Sequence, residues 1–357
     1  MLAPLYLKLG AIFVFCVASL TYLFTSTTLV KQPDLSRYLH SPPIPNIVHY
    51  TQLLREPSSE IKFEFKHFIA AYGASLRLKP EIIYIHTDAP DDTIARAYDP
   101  NSNIWTRLVL GLPNVHINKV QAPKRASISG TAIDKVEHRS DFVRMDAVQK
   151  YGGLYLDWDV HVLRDLKPLR ESGFANIVGR EKGGGINNGC WMSQKGTLMM
   201  EVWSKAANVA FDGKWTTHSV EMLTKVAERL VSKPKEVLIM DMKAFSPSSW
   251  KGYDVDKLFE VHLETPGYVS PDASKVVTAV NGALGEWEDP TTYESWQVDY
   301  SSTYLLHAFR PPAPGALANY TGITPAYVYA QQSNYARAVF PAMQHAMDAG
   351  LFSAEDF

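Results

Sequence analysis

Only two cysteines occur in 357 residues, Cys16 and Cys190. Cys16 lies inside the first apolar run, so the rest of the chain cannot close an internal disulfide, and its stability has to come from a buried core. A basic excess is missing as well. Thirty-five Lys and Arg stand against 37 Asp and Glu, a formal net charge of −2, so the positive footprint that a phosphate-backbone binder needs is absent and nucleic acid is not an expected partner. Charged residues make up 20% and hydrophobic residues 46%, which is too apolar for a disordered acidic chain. No low-complexity tract or internal repeat is visible, and none of the histidines has the His-x-x-x-His spacing of a zinc site.

One long hydrophobic run is present. Between Lys8 and Lys31 the sequence LGAIFVFCVASLTYLFTSTTLV carries no charge, and at ~1.5 Å per residue it just spans ~30 Å of hydrocarbon. It exceeds the ~7–15 apolar residues of a cleaved signal peptide, so residues 9–30 read as a transmembrane signal anchor, with residues 1–8 as a cytosolic tail. Everything beyond Val30 is then expected in the lumen. Residues 31–43, polar and bearing Pro33, Pro42 and Pro43, suit a stem, and the folded body is expected over 44–357 with no second domain boundary. Asn319-Tyr320-Thr321 is a glycosylation acceptor pattern consistent with that address.

Beyond the stem, short apolar runs recur at Ile47–Tyr50, Ile82–Ile85, Val115–Ile117, Leu154–Leu156, Ile177–Val178 and Val237–Met240. Helical stretches separate several of them, and a last amphipathic helix is expected over Asn334 to Ala349. The alternation predicts an α/β fold.

The chemistry concentrates between His138 and Val160. Ser140 is expected to cap a helix whose face carries Asp141, Arg144, Val148 and Tyr151 at three- and four-residue spacing, and Gly152-Gly153 supply the freedom to end it. Asp146, five residues past Asp141, points away from that face toward solvent. After the glycines, Leu154 and Leu156 alternate with Tyr155, Asp157 and Asp159, which places both carboxylates on one side at the end of a buried strand. Two acids there call for a hard divalent cation, Mg²⁺ or Mn²⁺, which keeps open positions for phosphate oxygens. In sugar transfer from a nucleotide sugar, such an ion stabilises the charge that develops on the leaving diphosphate.

Ser140-Asp141-x-x-Arg144 followed by Tyr151-Gly152-Gly153-x-Tyr155-x-Asp157-x-Asp159 resembles the DxD sugar-binding region of glycosyltransferase family 32, and is similar to the same stretch of the clostridial glucosylating toxins. The resemblance implies a GT-A-type, Rossmann-like nucleotide-sugar domain in a type II Golgi membrane enzyme, with the ER membrane as the other secretory address. It further implies Mn²⁺ (or Mg²⁺) assistance and retention of the donor's anomeric configuration. By matching, Asp159 is the direct metal ligand and Asp157 contacts ribose or sugar, both standing in the catalytic and metal set. Asp141 and Arg144 would hold the donor sugar and phosphate, and Tyr151 belongs to the same donor-binding stretch.

Weaker matches extend the resemblance. Ile44-Pro-Asn-Ile-Val-His-Tyr50 is similar to the family's opening strand, with Tyr50 where a tryptophan that receives the base is common. Gly183–Gly189 resembles an Asn-bearing loop that faces the donor sugar through Asn187 and Asn188. Thr303-Tyr-Leu-Leu-His307 resembles the late strand whose histidine completes a metal site. Among the tryptophans, Trp158 and Trp191 flank the motifs and are the candidate sugar-stacking platforms.

The expected function is metal-dependent transfer of a hexose from a nucleotide sugar, GDP-mannose before a UDP-sugar on the resemblance alone, to a glycan or glycolipid hydroxyl. A catalytically inactive, membrane-anchored sugar-binding protein is the alternative. Hydrolysis is disfavoured because the acid expected two residues beyond Asp159 in chitinase-like barrels is His161 here.

Overall fold

Ile47–Thr51, five residues of mostly β-branched and aromatic character, forms the first strand, β1. The computed structural model describes residues 42–56, 58–263 and 294–353. The expected cytosolic tail, the expected anchor over 9–30 and most of the expected stem lie outside the described residues. Among the described residues, no helix is long and apolar enough to cross a membrane.

From β1 the chain runs through α1 (Phe65–Leu78), β2 (Ile82–Thr87), α2 (Asp91–Ala97), α3 (Ile104–Leu110), β3 (Val115–Lys119), α4 (Val136–Tyr151), β4 (Gly153–Leu156), β5 (Val160–Val162) and α5 (Lys167–Arg170). It continues with β6 (Asn176–Arg180), β7 (Ile186–Ser193), α6 (Leu198–Ala210), a π-helical turn at Thr217–Glu221, and α7 (Met222–Leu230). Then follow β8 (Val237–Met240), α8 (Met242–Phe245), α9 (Gly252–Phe259), β9 (Leu305–His307), α10 (Pro325–Ala330) and α11 (Asn334–Asp348). The six expected strands are all present, and the last helix falls where its periodicity places it.

Seven strands form one mixed sheet in the order β3-β2-β1-β4-β7-β6-β8, and β5 pairs with β9 in a separate two-stranded ribbon. Strands β3, β2, β1 and β4 run parallel, whereas β7 is antiparallel to both β4 and β6. At β4 the pairing switches from parallel to antiparallel, and in α/β sheets a ligand usually binds in a crevice outside the carboxyl ends of the strands.

Alternation along the strands sends side chains into two cores. Tyr50, Ile83, Ile85, Leu154, Leu156 and Met192 join one cluster with α1 and α11. Tyr155, Val178 and Trp191 join the other with Phe142, Met145 and Val148 of α4 and Trp203 of α6.

Two local features of the helix-stop-strand segment matter for the site. First, α4 starts at Val136 behind Lys135, so Ser140 sits inside the helix and does not cap it. Second, Gly153 has φ +112, and a Cβ there would lie 2.4 Å from the Ile47 carbonyl oxygen. Glycine at that position is what allows β4 to lie against β1. Asp146 is exposed, as its place on the helix predicts.

Candidate active site

The acidic turn Asp157-Trp158-Asp159 leaves the end of β4 and is clamped by backbone on both sides. The Asp157 N–H donates to Gly189 O at 2.7 Å, and Ala308 N–H donates to Asp159 O at 2.9 Å. Strands β7 and β9 therefore fix the turn, and β9 brings His307 to it across the ribbon, where Val160 pairs with His307. One ligand atom from each of Asp157, Asp159 and His307 lies within 4.8 Å of the others.

This donor set fits a divalent cation: two carboxylates and an imidazole converge at a polar, partly exposed edge. A glycine makes the space. A Cβ at Gly189 would stand 2.7 Å from His307 Cε1, 2.8 Å from Asp157 Oδ2 and 2.9 Å from Asn187 Oδ1, so any side chain at this position would intrude between the three.

The two acids are held differently. Arg144, whose side chain is 8% exposed, places NH2 3.1 Å from Asp157 Oδ1 and donates from NH1 to Asn188 O at 3.0 Å. Its guanidinium also lies 4.5 Å over the Tyr155 ring. Tyr155 donates its hydroxyl to Asp157 Oδ1 at 2.6 Å and accepts from Thr51 Oγ1 at 3.0 Å. Thr51 in turn bonds Ser140, whose hydroxyl receives Arg144 NH2 at 3.4 Å. The result is a closed ring of donors, Arg144 to Ser140 to Thr51 to Tyr155 to Asp157, sealed by the ion pair. Asp159 instead faces His307 Nε2 at 3.3 Å, with its side chain 39% exposed.

The electrostatics follow. Burial and the neighbouring Asp159 hold Asp157 above the usual carboxylate value in spite of Arg144. Burial works the same way on Asp159, but His307 outweighs it and brings the carboxyl below its ordinary range. Burial alone would depress His307, yet the facing Asp159 raises it.

Asp141 and Arg144 meet at this site from one helix face, Arg144 NH2 lying 3.5 Å from Asp141 Oδ1. Asn188 Nδ2 donates to Asp141 Oδ1 at 2.9 Å, and His218 Nε2 lies 2.8 Å from Asp141 Oδ2. Asn187 is buried: its Nδ2 is 2.6 Å from His307 Nδ1 and donates to Ser246 Oγ at 2.7 Å, while its Oδ1 accepts from Gly189 N–H. Both asparagines belong to β7 rather than to a loop. Their polarity masks a strand that opens on the buried Ile186 and then turns two polar side chains to the site. Asn187 supports the imidazole and does not itself reach outward.

Three expectations need correction. Tyr50 is fully buried and stacked beneath Trp158 with ring centroids 4.3 Å apart, because strand alternation turns it into the core while its neighbour Thr51 faces the site. Tyr151 shares a face with Arg144 but not a level. It lies at the far end of α4, against His49 and Tyr84, beside the amino end of β4 rather than the carboxyl end. Trp191 is fully buried between Tyr155 and Trp203 and offers no surface to a sugar. Trp158 remains half-buried at the site, its Nε1 donating to Thr51 O at 2.9 Å.

Tyr155 was visible in the Tyr-Gly-Gly motif though its role was not, whereas Thr51, His218, Ser246 and Phe309 were not legible as site residues. Phe309 lies on the His307 ring at 3.9 Å, and its nearness to His307 in sequence was the one available signal. The others arrive from distant segments.

Residues 83–175, which hold this acidic turn, match the family model described as glycosyltransferase sugar-binding region containing DXD motif. The chain thus has a mixed α/β domain that carries a glycosyltransferase-type sugar-binding region, and the resemblance of Ser140–Asp159 to that region is confirmed.

Among curated proteins the chain is similar to Glucan organizing enzyme 1 of Cryptococcus neoformans var. grubii serotype A, 25% identical over 232 residues, covering 61% of this chain and 58% of the relative. It is also similar to Uncharacterized protein At4g19900 of Arabidopsis thaliana, 33% identical over 116 residues, covering 31% of this chain and 17% of that one. The chain spans less than two thirds of either relative's length. Among solved structures, PaToxG Glycosyltransferase aligns with a TM-score of 0.40 and 14% identity, over 53% of this chain and 71% of that one.

Proposed function

We propose that this protein is a metal-dependent, retaining glycosyltransferase of GT-A type that moves a hexose from a nucleotide sugar to a glycan or glycolipid hydroxyl. The observation that carries the reading is the convergence of Asp157, Asp159 and His307 within 4.8 Å, the two acids lying inside the sugar-binding region and His307 arriving from β9. Asp159 and His307, the less encumbered pair, would hold Mn²⁺ or Mg²⁺ with Asp157 as the third ligand. When bound, that ion neutralises charge on the leaving diphosphate.

The chain's own residues supply the rest. Arg144 and Tyr155 hold Asp157 in place, and Asn187 with Phe309 fixes the imidazole plane. Asp141, oriented by His218 and Asn188, stands beside Arg144, where the donor's hexose and phosphate would lie. The parallel strands β1, β2 and β3 leave their carboxyl ends for the nucleotide, with half-buried Trp158 in place of Tyr50 as the aromatic nearest them.

GDP-mannose is the first donor to try and UDP-sugars the second. The name of the Cryptococcus relative, a glucan organizing enzyme, favours a glycan acceptor. An anchor over residues 9–30 would hold the domain in the Golgi or ER lumen.

The test is a thermal-shift and donor-hydrolysis titration with Mn²⁺ and a panel of GDP- and UDP-sugars. Stabilisation by one nucleotide that needs Mn²⁺ supports the donor and metal assignments together. A folded protein that neither shifts nor hydrolyses any donor would instead be the inactive sugar-binding protein.

A further inference from the structure

Glu181 lies just beyond β6 and is the acid of this crevice that the metal and donor assignments leave unused. Its N–H donates to Gly185 O at 2.8 Å, and its carbonyl accepts from Gly184 N–H at 3.0 Å, so the turn from 181 to 185 is locally fixed. Gly179, two residues earlier, faces Phe245, to which an added Cβ would come within 2.4 Å. A register irregularity between Val178 and Arg180 interrupts the alternation here, and the Glu181 side chain folds over its own turn, Oε1 lying 3.6 Å from where a Cβ on Gly185 would stand and within electrostatic reach of His307. There the carboxylate is half-buried and has no hydrogen-bond or ion-pair partner among the described residues. Burial raises it above the ordinary glutamate value, and His307 draws it back. A partly desolvated carboxylate without a donor is an incomplete site.

The next residue builds a wall beside it. Lys182 Nζ donates to both carboxylate oxygens of Asp254 at 2.9 Å and lies 4.1 Å from the centroid of the Tyr253 ring. Ser249 also donates to Asp254. This lock pins Tyr253, at the start of α9, against the turn. The ring is still 58% exposed, and Trp250 on the same connection is 64% exposed. Such large exposed aromatic surface, with Tyr253 contacted by Lys182 beside a polar turn, suits the apolar face of a pyranose.

We propose that the Glu181–Gly185 turn and the start of α9 form the acceptor-sugar subsite, with the pinned Tyr253 ring stacking on the acceptor pyranose and the Glu181 carboxylate accepting a hydrogen bond from one of its hydroxyls. The position agrees with the sheet order. The turn joins β6 to β7, the strand whose Asn187 and Asn188 reach His307 and Asp141, so an acceptor held there would lie next to the donor groups. The assignment rests on the glycosyltransferase reading above but is tested apart from it.

The full-length protein is titrated with methyl glucoside, methyl mannoside and methyl galactoside, and binding is followed by saturation-transfer NMR. In parallel, transfer to the same glycosides is measured against hydrolysis of the donor. Tyr253→Ala is expected to weaken glycoside binding at least tenfold, and Tyr253→Phe, which keeps the ring, to remain near wild type. Glu181→Gln is expected to lower the ratio of transfer to hydrolysis at least tenfold. Unchanged glycoside binding in Tyr253→Ala, or a ratio that does not move in Glu181→Gln, overturns the subsite. Failure of all three glycosides to bind the wild type also overturns it. Glycoside binding that depends on Tyr253, in a protein that turns over no donor, upholds the subsite and removes the metal-dependent transferase reading alone.

Discussion

Gly189 and Asp159 govern the site at the level of single residues. A methyl group at Gly189 meets three side-chain atoms at 2.7 to 2.9 Å, all of them belonging to the metal set or its support. Gly189→Ala is therefore expected to cost about 1–3 kcal/mol through overpacking and to abolish the Mn²⁺-dependent thermal shift. A variant that keeps the shift would mean that the three ligands do not close on one ion. Asp159→Ala removes an acid whose side chain is 39% exposed, so its stability should stay within about 1 kcal/mol of wild type. Metal-dependent transfer should be lost, and full activity in that variant would withdraw the metal assignment. The same reasoning separates Asp157, which is bonded to Arg144 and Tyr155 before any ligand arrives.

At the scale of elements, the α4–β4 unit carries most of the chemistry and was the most legible part of the sequence. Asp141, Arg144 and Asp157 lie within one helix, stop and strand, so local spacing suffices to bring them together. Spacing could not give depth along the helix: Tyr151 obeys the same periodicity as Arg144 yet faces the opposite end of the sheet. Nor could it tell which face of β1 is covered: the family match pointed to Tyr50, which is buried, while Thr51 reaches the site. Arg144→Met tests the unit. It leaves Asp157, whose side chain is 27% exposed, beside Asp159 without its cation, at an expected cost of about 2–3 kcal/mol. Adding Asp157→Asn should recover part of that loss in urea unfolding, and a purely additive double variant would argue against the ion pair.

Across the whole molecule, assembly depends on contacts that no local pattern announces. One such set joins β3, β2, β1 and the end of α4. Asn118 donates to His86 Nδ1 at 2.8 Å, His86 Nε2–H to His49 Nδ1 at 3.0 Å, and His49 Nε2–H to Gly152 O at 2.8 Å. Every nitrogen in this relay is already assigned, so an added proton has no acceptor. Burial lowers His49 to about 4 and His86 to about 3, and burial likewise lowers His161 to about 4. In the unfolded chain these groups titrate near 6.5, so between that value and about 4 the unfolded state binds the extra protons. Stability should therefore fall as pH drops from 7 to 5, by about 2 kcal/mol for each of His49 and His161. A melting temperature that is flat across that range would contradict the neutral relay.

The proposed secretory address is tested at this scale too. Asn319 is exposed in a turn, so protein made in a eukaryotic secretory pathway is expected to lose mass on N-glycosidase treatment. No change in mass would count against that route.

The ribbon of β5 and β9 gives the cation a second meaning. Asp157 and His307 are separated by about 150 residues, a loop whose closure is entropically costly in the unfolded chain. An ion held between them would act as a reversible crosslink, tying the acidic turn of the sugar-binding region to the strand that closes the fold from the carboxyl-terminal side. Chelation would then loosen the attachment of a whole late segment as well as empty a catalytic pocket, so metal supply would govern how long the folded enzyme lasts.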